Sequence, residues 1–298
     1  MPMSFPGAID NRDISLSTIH RALDLGITLL DTANCYAPTW DSVGHNEALV
    51  AEALRTYAGP ADVGGVLVTT KGGITRGPHE TWGRDSRVDA LKAACEASLV
   101  QLGVPAIELY QHHRHDPSMD YRAQMASLRA LKENGLIKRI GLSNINLGEL
   151  LVAIDELGGP DEGGVVSVQN EYSPRYRGER NVLDLCTDLG IAFLPWSPLG
   201  GSELAHEAGA HFAEFASVGA EFGASPQETV LAWLLELSPV IIPIPGATKP
   251  RTVESIVAAA DIQLTPTQSA RLSATDSSSV SMYPDNGPRS PLDEHGPT

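Results

Sequence analysis

The chain has 298 residues, 42% of them hydrophobic and 5% aromatic, with a formal net charge of −16 at pH 7. That is apolar material enough for one large core, no apolar run reaches the roughly 18 residues that cross a bilayer, and so acidic a surface repels nucleic acid and anionic membranes. Cys35, Cys95 and Cys186 are too scattered for a disulfide framework or a zinc module, and Met1 to Gly7 lacks a secretory leader, so a cytoplasmic protein, monomeric or a small homo-oligomer, is expected.

Met1 to Ile14 holds two prolines and no apolar alternation. Helical periodicity begins by about Ser15 and covers Leu16 to Leu25, and a strand follows over Ile27 to Ala33. The alternation then continues: helix Asn46 to Tyr57, strand Val66 to Gly72, helix Arg87 to Leu102, strand Ile107 to Arg114, helix Tyr121 to Asn134. Strand Ile140 to Asn144, helix Leu147 to Leu157, strand Val165 to Tyr172, helix Asn181 to Leu189 and strand Ile191 to Ser197 come next. Helix Pro226 to Leu237 and strand Val240 to Pro245 close the pattern. Gly26, Gly103, Gly135 and Gly190 stand where helices should stop.

Such alternation predicts an α/β fold with a parallel sheet. Polar residues gather at nearly every strand end: Asp31, Lys71, His113, Ser143 with Asn144, Gln169 with Asn170, and Ser197. That distribution favours a closed (β/α)8 TIM barrel over an open sheet, and no Gly-x-Gly-x-x-Gly turn argues otherwise. The count gives seven strands, so the first barrel strand is expected to be missing or shortened at the N-terminus. Residues 1–275 should form the barrel, and 276–298, rich in Ser, Pro, Gly and Asp, a flexible tail that either folds over the mouth or stays disordered.

Asp31-Thr32-Ala33-Asn34-Cys35-Tyr36, the Asn46-Glu47 helix start and Val68-Thr69-Thr70-Lys71 stand in order, followed by Leu109-Tyr110-Gln111-His112-His113-Arg114. Gly141-Leu142-Ser143-Asn144, Val168-Gln169-Asn170-Glu171-Tyr172-Ser173 and Pro195-Trp196-Ser197-Pro198-Leu199-Gly200 follow. Taken together, and from about Leu16 to Leu272, the chain resembles the aldo-keto reductases.

The resemblance implies reduction of a small carbonyl substrate by NADPH, with Tyr36 as proton donor, Lys71 and Asp31 tuning it, and His113 holding the substrate oxygen. The residue types make chemical sense: a phenol is a reluctant acid near neutrality, and an adjacent ammonium, itself held by a carboxylate, favours its ionised form. The resemblance further assigns Ser143, Asn144 and Gln169 to the carboxamide of the cofactor, Trp196 to its ring, and Ser197, Leu199 and Gly200 to its pyrophosphate. Gly246, Ala247, Thr248, Lys249 and Arg251 would meet the adenosine phosphate, the two cations favouring NADPH over NADH. Trp40, Arg76, Trp82 and His112 belong to segments near the mouth, and Trp82 and His112 are the expected substrate contacts.

Two positions depart from the family. Ser255 and Ile256 replace a Glu-Asn pair near the adenine, and Met1-Pro2-Met3 looks like the end of a strand that begins before this chain does, unless a barrel element has been lost. Three other readings are weighed. His113-x-His115 would suit a barrel metallohydrolase, but later strand ends offer no further histidine, so no metal is expected. A cofactor-binding regulatory subunit with little turnover, or a truncated and inactive reductase, would keep the same motifs.

Overall fold

The computed structural model describes residues 2–4 and 9–283, and the chain divides into two compact units. The first comprises residues 1–145, 149–166 and 246–253; the second comprises 146–148, 167–245 and 254–298.

Helix α1 (Arg12–Asp24) opens the first unit, and β1 (Leu29–Asp31), α2 (His45–Thr56) and β2 (Leu67–Gly72) follow. Parallel neighbours need a crossover between them, and α2 supplies it. Ile19, Leu49, Val50 and Ala53 form the apolar seam that holds the crossover, with Leu30 and Val68 packed against it. A hairpin, β3 (Ile74–Gly77) paired antiparallel with β4 (Thr81–Arg84), then interrupts the alternation. Beyond it come α3 (Val88–Leu102), β5 (Leu109–His112), α4 (Tyr121–Glu133) and β6 (Ile140–Ser143). The strands β1, β2, β5 and β6 are side by side in that order, all parallel. Helix α5 (Leu147–Leu157) follows.

Strand alternation sorts these side chains by face. Thr69 and Lys71 reach toward Asp31 on one face of β2, while Thr70 donates to buried Glu47 of α2 at 2.5 Å on the other. On that second face Tyr110 is wholly buried, and its hydroxyl has no hydrogen-bond partner among the described residues. It rests on Gly72, where a Cβ would come within 1.9 Å of the Tyr110 oxygen.

The second unit holds β7 (Val165–Gln169, its first two residues counted with the first unit), α6 (Arg180–Leu189) and β8 (Ala192–Phe193), with β7 and β8 parallel. Helices α7 (Ser202–His206), α8 (Ala208–His211), α9 (Ala213–Phe222) and α10 (Pro226–Leu237) come next. Its core is aromatic: Trp233 stacks with Tyr172 at 6.3 Å and meets the edge of Phe215 at 5.5 Å, and Phe193 meets Tyr172 at 6.0 Å. Helix α11 (Pro250–Ala258) begins within the first unit, and α12 (Pro266–Ser273) belongs to the second.

Parallel strands alternating with helices are what the sequence pattern predicts. Two expectations need correction. Val240 to Pro245 forms no ladder strand: Val240 lies in a turn, and the segment touches its neighbour through one bridge, Phe193 to Ile241, because Pro243 and Pro245 lack the donor a ladder needs. Pro2–Ser4 is a 3₁₀ turn rather than a strand end, and buried Met3 packs against Ile19 and Leu49. Among the described residues no strand precedes β1. The hairpin, α7, α8, α9, α11 and α12 were not foreseen.

The segment after α12 is bonded to its own unit. Glu171 accepts from Ser281 Oγ at 2.6 Å and Met282 N at 2.9 Å, and Ser278 N donates to the Arg175 carbonyl at 2.6 Å. The remainder of the expected tail, 284–298, lies outside the described residues.

Candidate active site

In the first unit, the registers Asp31 to Thr69 and Lys71 to Gln111 bring the C-terminal parts of β1, β2 and β5 side by side. Lys71 is fully buried, and its ammonium donates to Asp31 Oδ2 at 2.6 Å and to the Thr32 carbonyl at 2.8 Å. The other carboxylate oxygen of Asp31 accepts from Thr69 Oγ1 at 2.9 Å and Gln111 Nε2 at 3.1 Å, while Gln111 also reaches Thr69 at 2.7 Å. A buried charge is tolerated only when so surrounded.

Tyr36 sits in the loop after β1, half-buried. The Lys71 ammonium lies 5.1 Å from the centre of its ring. His113, one residue past β5, meets the same ring edge-on at 5.8 Å. Burial, reinforced by the charges of Lys71 and Arg114, holds His113 well below the ordinary histidine range, so its imidazole is neutral. Its Nδ1 lies 3.7 Å from Cys35 Sγ.

The loop that carries Tyr36 is pinned from the hairpin. Arg76 of β3 donates to the carbonyls of Ala37 at 2.5 Å, Pro38 at 3.0 Å and Cys35 at 3.5 Å. Glu80, in the hairpin turn, takes the Arg76 Nε at 2.6 Å and the backbone N–H of Trp40 at 2.9 Å. The Arg76 guanidinium covers the ring of Trp82 at 4.8 Å, and that indole is 58% exposed.

The tetrad Asp31, Tyr36, Lys71 and His113 is therefore gathered in one place. Ser143 ends β6, and Asn144 follows in the left-handed region (φ +57°), donating to the His113 carbonyl at 3.0 Å. Gly246, Ala247, Thr248, Lys249 and Arg251 lie at or just before the first turn of α11, with Lys249 and Arg251 exposed. A helix N-terminus beside two cations suits a phosphate. In the second unit, Gln169 ends β7, Ser197 lies in the left-handed region (φ +47°), and Leu199 precedes the positive-φ Gly200. Half-buried Trp196 meets the ring of Tyr283 at 5.5 Å. Ser255 is committed to Glu228, donating at 2.6 Å.

The expectation for His112 changes. His112 is fully buried on the opposite face of β5 from His113, its Nε2 2.8 Å from Ser86 Oγ, so it has no access to a substrate in this structure. His115 does not join His113; its Nδ1 lies 2.5 Å from Glu149, and its ring stacks on Tyr121 at 5.1 Å. Among the described residues no three His, Cys, Asp or Glu side chains gather to hold a metal ion.

The sequence reading passed over Thr69, Gln111, Cys35 and the clamping role of Arg76. For the first two a signal existed: each stands two residues before a tetrad member, Lys71 or His113, and so shares its face.

Comparison with known proteins identifies the family and the fold. Residues 7–277 match the aldo/keto reductase family. An uncharacterized oxidoreductase of Schizosaccharomyces pombe is 34% identical over 263 residues, covering 88% of this chain and 79% of that protein. The pyridoxine 4-dehydrogenase of Escherichia coli is 28% identical, with 89% and 88% covered. The crystal structure of an aldo-keto reductase from Klebsiella pneumoniae in complex with NADPH superposes with a TM-score of 0.68 at 22% identity, covering 88% of this chain and 84% of that one. That likeness carries the barrel fold expected from the alternating pattern. The chain is a member of the aldo/keto reductase family of oxidoreductases.

Proposed function

We propose that the protein reduces a small aldehyde or ketone to its alcohol with NADPH, Tyr36 delivering the proton. The observation that carries this reading is the Lys71 ammonium, fully buried, 2.6 Å from Asp31 and 5.1 Å from the Tyr36 ring centre. An ammonium so fixed favours the phenolate and makes the phenol a better acid. Asp31 holds the ammonium in place, aided by Thr69 and Gln111. His113, neutral and edge-on to Tyr36, donates a hydrogen bond to the carbonyl oxygen, orienting it and stabilising the negative charge that builds there.

NADPH, when bound, supplies the hydride to the carbonyl carbon; the protein supplies position and proton. In the first unit Ser143 and Asn144 would hold its carboxamide, and Gly246 to Arg251 its adenosine phosphate, where Lys249 and Arg251 favour NADPH over NADH. In the second unit Gln169, Trp196, Ser197, Leu199 and Gly200 carry the carboxamide, ring and pyrophosphate roles taken over from the family. Trp82, exposed beside the Tyr36 loop, is the proposed substrate contact.

The test is a fluorescence titration with NADPH and with NADH, followed by a carbonyl panel that includes pyridoxal, chosen because the Escherichia coli relative is a pyridoxine 4-dehydrogenase. NADPH should bind tighter than NADH. Tyr36→Phe should keep NADPH affinity and lose turnover by about 100-fold or more. Normal turnover in that variant would overturn the assignment of Tyr36.

A further inference from the structure

Cys35 immediately precedes Tyr36, and the tetrad makes no use of it. Its Sγ lies 3.7 Å from His113 Nδ1, and both residues are buried. Burial pushes the thiol up to about 11, against the opposing pull of Lys71, so the sulfur keeps its proton. The imidazole is neutral for the reasons given above, and it therefore carries a single proton on one of its two nitrogens. Between the two partners the ring nitrogen is the good acceptor and the sulfur a poor one, so the S–H points at Nδ1. The ring proton is then left on Nε2.

We propose that Cys35 is a positioning residue for carbonyl reduction: its thiol donates to His113 Nδ1 and so fixes the Nε2–H tautomer, the form that donates to a substrate oxygen. The inference rests on the role given to His113 under the proposed function. Without the thiol the ring is free to carry its proton on Nδ1 instead. That form turns a bare nitrogen lone pair toward the carbonyl oxygen, which repels it. A side chain that merely filled space at position 35 would be replaced equally well by valine, whereas a hydrogen-bond donor is replaced only by serine.

The test is long-range ¹H–¹⁵N correlation NMR on the full, ¹⁵N-labelled chain, with the His113 signals assigned by their loss in His113→Gln. In the unsubstituted protein Nε2 should be protonated and Nδ1 bare. Cys35→Val should mix the two tautomers and lower kcat by about tenfold with NADPH affinity unchanged, and Cys35→Ser should restore both the single tautomer and most of the turnover. An Nδ1-protonated ring in the unsubstituted protein, or a Cys35→Val variant with the same tautomer and the same kcat, would overturn the proposal. The NMR measurement needs no turnover. A protein that fails to reduce any carbonyl would sink the reductase reading and still leave the tautomer to decide the role of Cys35.

Discussion

Lys71 carries its charge where no solvent reaches, and what surrounds it decides how substitutions there behave. Asp31→Ala removes the carboxylate and strands the ammonium, which should cost about 3–5 kcal/mol of stability as well as activity. Lys71→Met removes the charge itself and fills similar volume, while Asp31 keeps its bonds from Thr69 and Gln111. That variant should lose turnover yet unfold in urea within about 1.5 kcal/mol of the unsubstituted protein. Equal destabilisation by both substitutions would mean that the carboxylate needs the ammonium as much as the ammonium needs the carboxylate. At this scale the sequence was most informative for Asp31, Lys71 and His113, which stand at or just past strand ends where side-chain direction follows from alternation, while Tyr36 lies in the loop after β1. His112 was misjudged for the same reason: one residue of alternation moves it to the opposite face, against Ser86. The Cys35–His113 and Arg76 contacts join residues 78 and about 40 positions apart, and no local pattern encodes such a meeting.

At the scale of elements, the hairpin of β3 and β4 is what the alternating pattern hid. Its strands have four residues each, contain Gly77 and Gly83, and turn through His79 and Glu80, both at positive φ. Neither apolar alternation nor an Asn-Gly turn marks it. Yet it supplies the arginine that fans onto three carbonyls of the Tyr36 loop. Lysine has one point charge where arginine has a planar fork, so it cannot reproduce that fan. Arg76→Lys should loosen the loop and lower kcat by about tenfold, with NADPH affinity unchanged, as steady-state kinetics and the cofactor titration would register together. An unaltered kcat would show that the loop holds its place without the clamp. Elsewhere the expected strands overran the observed ladders, as with Ile191 to Ser197 against Ala192–Phe193, because apolar residues continue into packed loops after pairing stops.

Across the whole molecule, two buried histidines add to the response to acid. Burial lowers His112 to about 3, and lowers His113 well below the ordinary value. An unfolded chain protonates both near pH 6.5, whereas the folded one does not. Each therefore stabilises the fold above that pH, and the contribution is lost as the pH falls toward the folded value. For His112 the loss between pH 7 and pH 5 is about 2 kcal/mol. Glu47, raised by burial, works in the opposite sense, since it is the unfolded chain that ionises first as pH rises. Comparing urea unfolding of the protein and of His112→Gln at both pH values isolates the histidine: the variant should lose about 2 kcal/mol less on acidification. Identical losses would rule out His112 as an acid-sensitive site. The alternation of strands and helices was legible over most of the chain. Beyond Gly200 only the helix Pro226–Leu237 was, since the helices around it are short and fall outside the strand–helix alternation, and the Pro243 and Pro245 segment has strand composition without strand bonding.

The contact between Gly72 and Tyr110 bears on how such a protein can diverge. Any side chain at 72 would collide with the Tyr110 hydroxyl, and the Gly72 carbonyl is what receives the His113 backbone N–H at 2.9 Å. A disturbance at 72 is thus handed directly to His113, the residue proposed to hold the substrate oxygen. The two positions are bound into one evolutionary unit, in which alanine at 72 is admissible only beside something shorter than an aromatic at 110, such as leucine. In an alignment of relatives they should covary, and a library randomised at both should return only such compensated pairs.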